Sequence, residues 1–144
     1  MKNDGKDLED EAQKEFNKNV DPNFHWRRLY DTFTAKRGMP PQPADFFLSE
    51  LGTGSAHLEC KTSEHKGCRL RTFSQLGDML RWQQAGVAGF VLCHFYVPNE
   101  LLLFDIKNID PLLPSWVVTE VKDVVKLKRI ELLPEAVRAM MRGH

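Results

Sequence analysis

Asp45, Glu59 and Lys61 are close enough in the chain, and of the right chemical types, to hold a divalent cation and direct an attack on a phosphate. The stretches Ala44–Leu51 and Ala56–Thr62 both read as strands. Gly52-Thr53-Gly54-Ser55 between them has turn chemistry, which predicts a hairpin. Side chains alternate along a strand, so Glu59 and Lys61 share one face and Leu58, Cys60 and Thr62 take the other. A turn centred on Thr53 sets Asp45 opposite Lys61, on the face of Glu59. Two carboxylates and an ammonium then meet on a sheet otherwise built from apolar side chains. Burying one such charge unpaired would cost several kcal/mol. A hard cation with oxygen ligands and water, Mg²⁺ or Mn²⁺, resolves the conflict. It would acidify a bound water and offset charge developing on a phosphate. Lys61 then either orients the attacking water or stabilises the pentacovalent phosphate. The chemistry implied is phosphodiester hydrolysis.

A D…ExK triplet also arises by chance, and a salt-bridged hairpin face produces the same pattern, so the flanking elements decide how it is read. Leu8, Ala12 and Phe16 recur every four residues behind the potential N-cap Asp4, predicting a helix from Asp4 to about Asn19. Glu9 borders its apolar stripe. A second helix is predicted from about Thr72 to Ala85, closed by Gly86, with Gln75 at the margin of its apolar face, between Met79 and Trp82. Phe24–Tyr30, Ala88–Val97 and Leu101–Ile106 read as further strands, and Pro134–Met141 as a helix. Val117–Leu133 could be either. This order of elements predicts an α/β single domain, a mixed β-sheet flanked by helices. Residues 1–20 would form the N-terminal helix, 24–106 the catalytic core, and 107–144 an extension of open role.

With 144 residues the chain can bury one core without staples. Its 20 basic and 20 acidic side chains cancel, so any attraction to nucleic acid must come from local clusters. No apolar run approaches the ~20 residues of a membrane helix, and the polar N-terminus does not resemble a signal peptide. Three cysteines, an odd number, argue for a reducing compartment, so a cytoplasmic location is expected.

Several motifs, in order, resemble the RecU-type and archaeal-type Holliday-junction resolvases of the PD-(D/E)xK nuclease superfamily. Gly5-Lys6-Asp7-Leu8-Glu9 resembles their GKxxE start, and Gln42-Pro43-Ala44-Asp45-Phe46 their second motif. Leu58-Glu59-Cys60-Lys61-Thr62 is similar to their ExK strand, and Phe73-Ser74-Gln75-Leu76 to the helix-borne glutamine of the RecU branch. Ala85-Gly86-Val87-Ala88-Gly89-Phe90-Val91 looks like that branch's next strand. The resemblance covers roughly residues 5 to 106, and four motifs in order are more specific than any one. It implies a restriction-endonuclease-like fold, Mg²⁺ dependence (with Mn²⁺ as substitute), a homodimer, and paired symmetric nicks across four-way DNA. It also implies metal ligation by Asp45, Glu59 and the Cys60 backbone carbonyl, with Lys61 catalytic and Glu9 and Gln75 supporting. The chain departs from cellular RecU proteins in lacking a long basic N-terminal arm, and its short form suggests a phage-encoded member acting in the host cytoplasm.

Arg27, Arg28, Lys36 and Arg37 precede the second motif, and Lys66, Arg69 and Arg71 follow the third. Lysines and arginines usually occupy solvated surface. Beside these motifs they read as phosphate contacts that position the DNA without reading bases. A branched substrate is recognised by shape and needs no base-reading helix, so no small-molecule substrate and no membrane partner is expected. Symmetric nicking implies an isologous dimer, with Leu101-Leu102-Leu103 and the C-terminal helix as candidate interfaces. His25, Trp26 and Tyr30 read as core or wall residues, or as an aromatic wedge at the crossover. Two rival readings keep the fold: another repair or general nuclease, and a catalytically silent DNA-binding module. A third is a zinc site from His57-x-x-Cys60 and His65-x-x-Cys68, although His57 and Cys60 on one strand would face opposite ways.

Overall fold

A computed structural model of the chain describes residues 5–30, 42–64, 66, 75–109, 118 and 121–144, with only the backbone described at residues 5 and 6. Helix α1 spans Gly5–Lys18, and its four-residue repeat of Leu8, Ala12 and Phe16 is completely buried. The Phe16 ring lies 6.2 Å from Phe24, 5.8 Å from Trp26 and 5.5 Å from Phe46, which fastens α1 to the first two strands. Those strands are β1 (Phe24–Arg28) and β2 (Phe46–Glu50), followed by β3 (Gly54–Ser63) and helix α2 (Leu76–Gln84). Next come β4 (Ala88–Phe95), β5 (Glu100–Asp105), a 3₁₀ turn (Ile106–Asn108), β6 (Val125–Leu127), a second 3₁₀ turn (Ile130–Leu132) and helix α3 (Leu133–Arg142).

The fold is the expected α/β type, a mixed six-stranded sheet ordered β1-β2-β3-β4-β5-β6 and flanked by helices. Every neighbouring pair is antiparallel except β3 and β4. Parallel strands need a crossover, and α2 lies within it. One face of the sheet presents Phe46, Leu48, Ala56, Leu58, Cys60, Phe90 and Leu92 to α1 and α3. The other packs Val91, Cys93, Phe95 and Phe104 against Leu76 and Met79 of α2. Gly89 lets the 3₁₀ turn approach β4, since a Cβ there would stand 2.5 Å from Ile106 Cδ1.

The hairpin register differs from the sequence expectation. Glu50 pairs with Gly54, and residues 51–53 alone form the loop, with Gly52 at φ +77°. The turn therefore centres on Gly52, not Thr53, and Gly54 and Ser55 belong to β3. Thr53 donates its backbone N–H to the Glu50 carbonyl at 3.1 Å and its hydroxyl to Glu50 Oε1 at 2.9 Å, which closes the shorter loop. Continuing that register brings Asp45 level with Glu59, not Lys61. Moving the pairing by two residues keeps every side chain on its expected face.

Among the described residues that follow the expected catalytic core, β6 and α3 are integral to the sheet and core. Leu127 of β6 pairs with Leu101 of β5, and α3 buries Leu133, Val137 and Met141 beside α1. The suggested dimer surfaces are thereby corrected: Leu102 and Leu103 are buried, as is the apolar stripe of α3, so these residues serve the chain's own core.

Glu50 also clamps α3 to the hairpin end. Arg142 donates to both of its oxygens at 2.9 and 3.0 Å, and Arg138 bridges Glu50 and Asp21. Arg142 chiefly, with Arg138 and Thr53, holds the Glu50 carboxyl down at about 2. Its folded value lies below its unfolded one, so this stabilisation is complete above about pH 4.5 and disappears as pH falls toward 2. Glu50→Gln should cost about 2 kcal/mol near neutral pH in urea denaturation. The variant's stability should also fall less than the wild type's over that acid window.

Candidate active site

Asp45 sits just before β2, and its backbone is tied on both sides. Its N–H donates to the Leu58 carbonyl at 3.1 Å, and its carbonyl accepts from Leu29 N–H at 2.8 Å. The Cys60 N–H donates to Asp45 Oδ2 at 2.7 Å, which fixes the carboxylate against β3. Glu59 projects from β3 on the side of α2 and is 2 % exposed. Neither of its carboxylate oxygens has a well-formed hydrogen bond, although Lys61 Nζ stands 3.3 Å from Oε2. Lys61 Nζ donates at 3.0 Å to Oε1 of Gln75, which lies at the N-terminal end of α2. From the opposite side of the sheet, α1 brings Glu9 to Asp45. The cleft is about 350 Å³ in volume and is lined by Glu9, Asp45, Glu59, Cys60, Lys61, Thr62 and Gln75.

All five side chains expected to carry chemistry thus line one cleft, drawn from α1, β2, β3 and α2. The electrostatics are those of too much negative charge in too little water. Burial, followed by Asp45, pushes Glu9 up to about 8, and burial, followed by Glu59, raises Asp45 to about 7. Burial also raises Glu59, opposed by Asp45 and Lys61. Burial thus favours the protonated form of each carboxyl, and a nearby cation would oppose it. The orphaned Glu59 oxygens and the neighbouring Asp45 carboxylate are therefore suited to a hard cation. Among the described residues no three His, Cys, Asp or Glu side chains form a closed metal cage. Two carboxylates, a backbone carbonyl and water are an open set of the kind a hydrolytic Mg²⁺ site uses.

The zinc alternative separates as the strand alternation requires. His57 faces α2, with its ring 5.3 Å from that of Trp82, while Cys60 lies in the core on the α1 side. His65 and Cys68 are outside the described residues.

The expected DNA contacts divide into two groups. Arg27 is exposed on β1. Arg28 is not free: its Nη1 donates at 2.7 Å to both Asp10 Oδ1 and Gln13 Oε1 of α1, and its guanidinium covers the Tyr30 ring at 5.0 Å. Arg28 anchors the α1 segment that carries Glu9, a role hidden in the sequence because its partners lie 15 and 18 residues away. Lys66 pairs with Glu100 at 2.6 Å, and Lys126 of β6 meets the same carboxylate at 3.4 Å. Lys36, Arg37, Arg69 and Arg71 lie outside the described residues. Trp26 packs into the core, whereas His25 and Tyr30 are exposed. Thr62, assigned by alternation to the far side of β3, nonetheless lines the cleft near the end of the strand.

The sequence matches no protein-family profile and no curated protein. In structure, the chain is similar to Hjc, a Holliday junction resolvase from the archaeal hyperthermophile Archaeoglobus fulgidus. The TM-score is 0.54 at 13 % identity, over 88 % of this chain and 95 % of that one. The two share a fold. Among the described residues no helix is long and apolar enough to cross a membrane.

Proposed function

We propose that this chain is a metal-dependent, structure-selective endonuclease that resolves four-way DNA junctions by paired nicks. The observation that carries this reading is the meeting of Glu9, Asp45, Glu59, Lys61 and Gln75 in one cleft, on a fold shared with a Holliday junction resolvase. Asp45, Glu59 and the Cys60 carbonyl would hold Mg²⁺, with Mn²⁺ as substitute. A bound divalent cation supplies Lewis acidity at neutral pH and offsets charge on the phosphate. The Lys61 amine reaches into the cleft, where it orients the nucleophile or meets the phosphate oxygens. Gln75 holds Lys61 in place, and Glu9 closes the cleft from the α1 side. Two such centres related by a twofold axis would give symmetric nicks, so the active form is a homodimer. The proposed setting is the cytoplasm, with a phage-encoded origin.

The purified chain should nick synthetic four-way junctions in Mg²⁺ and leave linear duplex largely intact. Equal cleavage of both would point to a general nuclease, and tight junction binding without cleavage in Mg²⁺ or Mn²⁺ to a silent binding module.

Metal linkage gives an independent check. Folding raises Asp45 from 3.8 to about 7 and Glu9 from 4.5 to about 8. Without metal, the folded chain therefore holds more protons than the unfolded chain between about pH 4 and 8, and its stability falls as pH rises through that window. A cation takes the place of those protons. Saturating Mg²⁺ should stabilise the fold by about 2–3 kcal/mol near pH 8 and by much less near pH 5, read as a shift in thermal unfolding.

A further inference from the structure

The face of the sheet that bears the carboxylates continues past the cleft into a row of side chains with a distinct composition. Arg27 of β1 pairs with Phe47 of β2, and Phe47 pairs with His57 of β3, so these side chains form one row across three strands. Glu59 is two residues further along β3, hence about 7 Å away on the same face, and Asp45 lies just before β2. His57 is the buried floor. Its ring lies 5.4 Å from Phe47 and 5.3 Å from Trp82 of α2, nearly perpendicular to the latter at 77°. Phe47 is half-buried, and Trp82 remains 42 % exposed. The next row holds Ser49 and Ser55, whose hydroxyls are 3.3 Å apart. Asp78 stands nearby but pairs with Arg81 at 3.5 Å. Arg27 has no ion-pair partner among the described residues. Two aromatic side chains and one unpaired cation therefore adjoin the cleft.

Building on the nuclease reading, we propose that this aromatic row is a stacking subsite for an unpaired base of the DNA strand being cut. Phe47 and Trp82 would grip the base, and Arg27 would meet the adjoining phosphate. Aromatic side chains stack on any base without reading its identity, and arginine follows the backbone. In a continuous duplex the bases are already stacked on one another, whereas at a branch point one can be drawn aside at lower cost. The subsite supplies selectivity for branched DNA through availability of a base. The position of this row on the face of Glu59, two residues along β3 from it, argues for substrate, not a second protein, as its occupant.

The test uses the full chain in EDTA, so that binding is measured without cleavage. The probes are a synthetic four-way junction, a linear duplex of equal length and a short oligothymidylate. Phe47→Leu and Trp82→Leu should each weaken junction and oligothymidylate binding about tenfold while leaving duplex affinity unchanged. Trp82→Phe should retain most of the affinity, which separates stacking from misfolding. Oligothymidylate should quench tryptophan fluorescence in the wild type and not in Trp82→Leu. Arg27→Gln should reduce the salt slope of junction binding by about one. Unchanged junction and oligothymidylate affinities in both leucine variants would overturn the subsite, as would loss of a dimer with no change in oligothymidylate binding. Failure of the nuclease reading would appear separately, as wild-type protein that does not nick junctions in Mg²⁺.

Discussion

Glu59→Gln is expected to slow junction cleavage by about a thousandfold while leaving junction affinity within a factor of about two. The substitution keeps the size of the side chain and removes one negative charge from the floor of the cleft. Glu59 is almost completely buried, and its oxygens lack well-formed hydrogen bonds, so no neighbour can take over its role toward a cation. The cationic groups proposed to meet DNA are on other elements and are untouched. Single-turnover cleavage at saturating Mg²⁺, beside gel-shift binding in EDTA, separates the two effects. Affinity falling in parallel with rate would mean that Glu59 maintains the cleft's shape and does not serve a metal. Glu59→Gln should also be at least as stable as wild type in EDTA, because it removes a buried charge.

Lys61→Met should lower the cleavage rate by about 10²- to 10³-fold, again with little effect on binding. The methylene stem is kept, and only the ammonium between Glu59 and Gln75 is lost. Gln75→Leu should cost less, about tenfold, because it frees the ammonium to wander without removing it. If Gln75 works through Lys61, the double variant should be no slower than Lys61→Met alone. Multiplying penalties would give Gln75 a separate role with the substrate.

The faces of the elements could be read from sequence more readily than their exact partners. Alternation placed Glu59 and Lys61 together and put Cys60 behind them, because a strand allows only two orientations. The partner of Asp45 depended on where the turn is centred, and turn chemistry at Gly52 and Gly54 left two centres open. An error of two residues preserves the face; an error of one would have moved Asp45 out of the site. Glu9 and Gln75 were legible because each borders an apolar stripe that must face the sheet. Val117–Leu133 was not. The one strand among its described residues, Val125–Leu127, is three residues long at the sheet edge, with the first two exposed, so it has no alternation to detect. The ties of Arg28 to Asp10 and Gln13, and of Lys66 to Glu100, were also hidden. Local charge clustering reveals cations but not carboxylates and amides brought to them by folding.

Because spatial order in the sheet follows chain order from β1 to β6, every pairing joins strands consecutive in the chain, and the parallel step is bridged through α2. Such a meander has low contact order for its strand content, which favours rapid collapse. The packing of α3 is the exception, with the Glu50 clamp reaching 88 and 92 residues along the chain to Arg138 and Arg142. During synthesis the sheet could grow strand by strand as it leaves the ribosome, but α3 must emerge before that latch can shut. Loss of the last helix should therefore accelerate unfolding far more than it slows refolding.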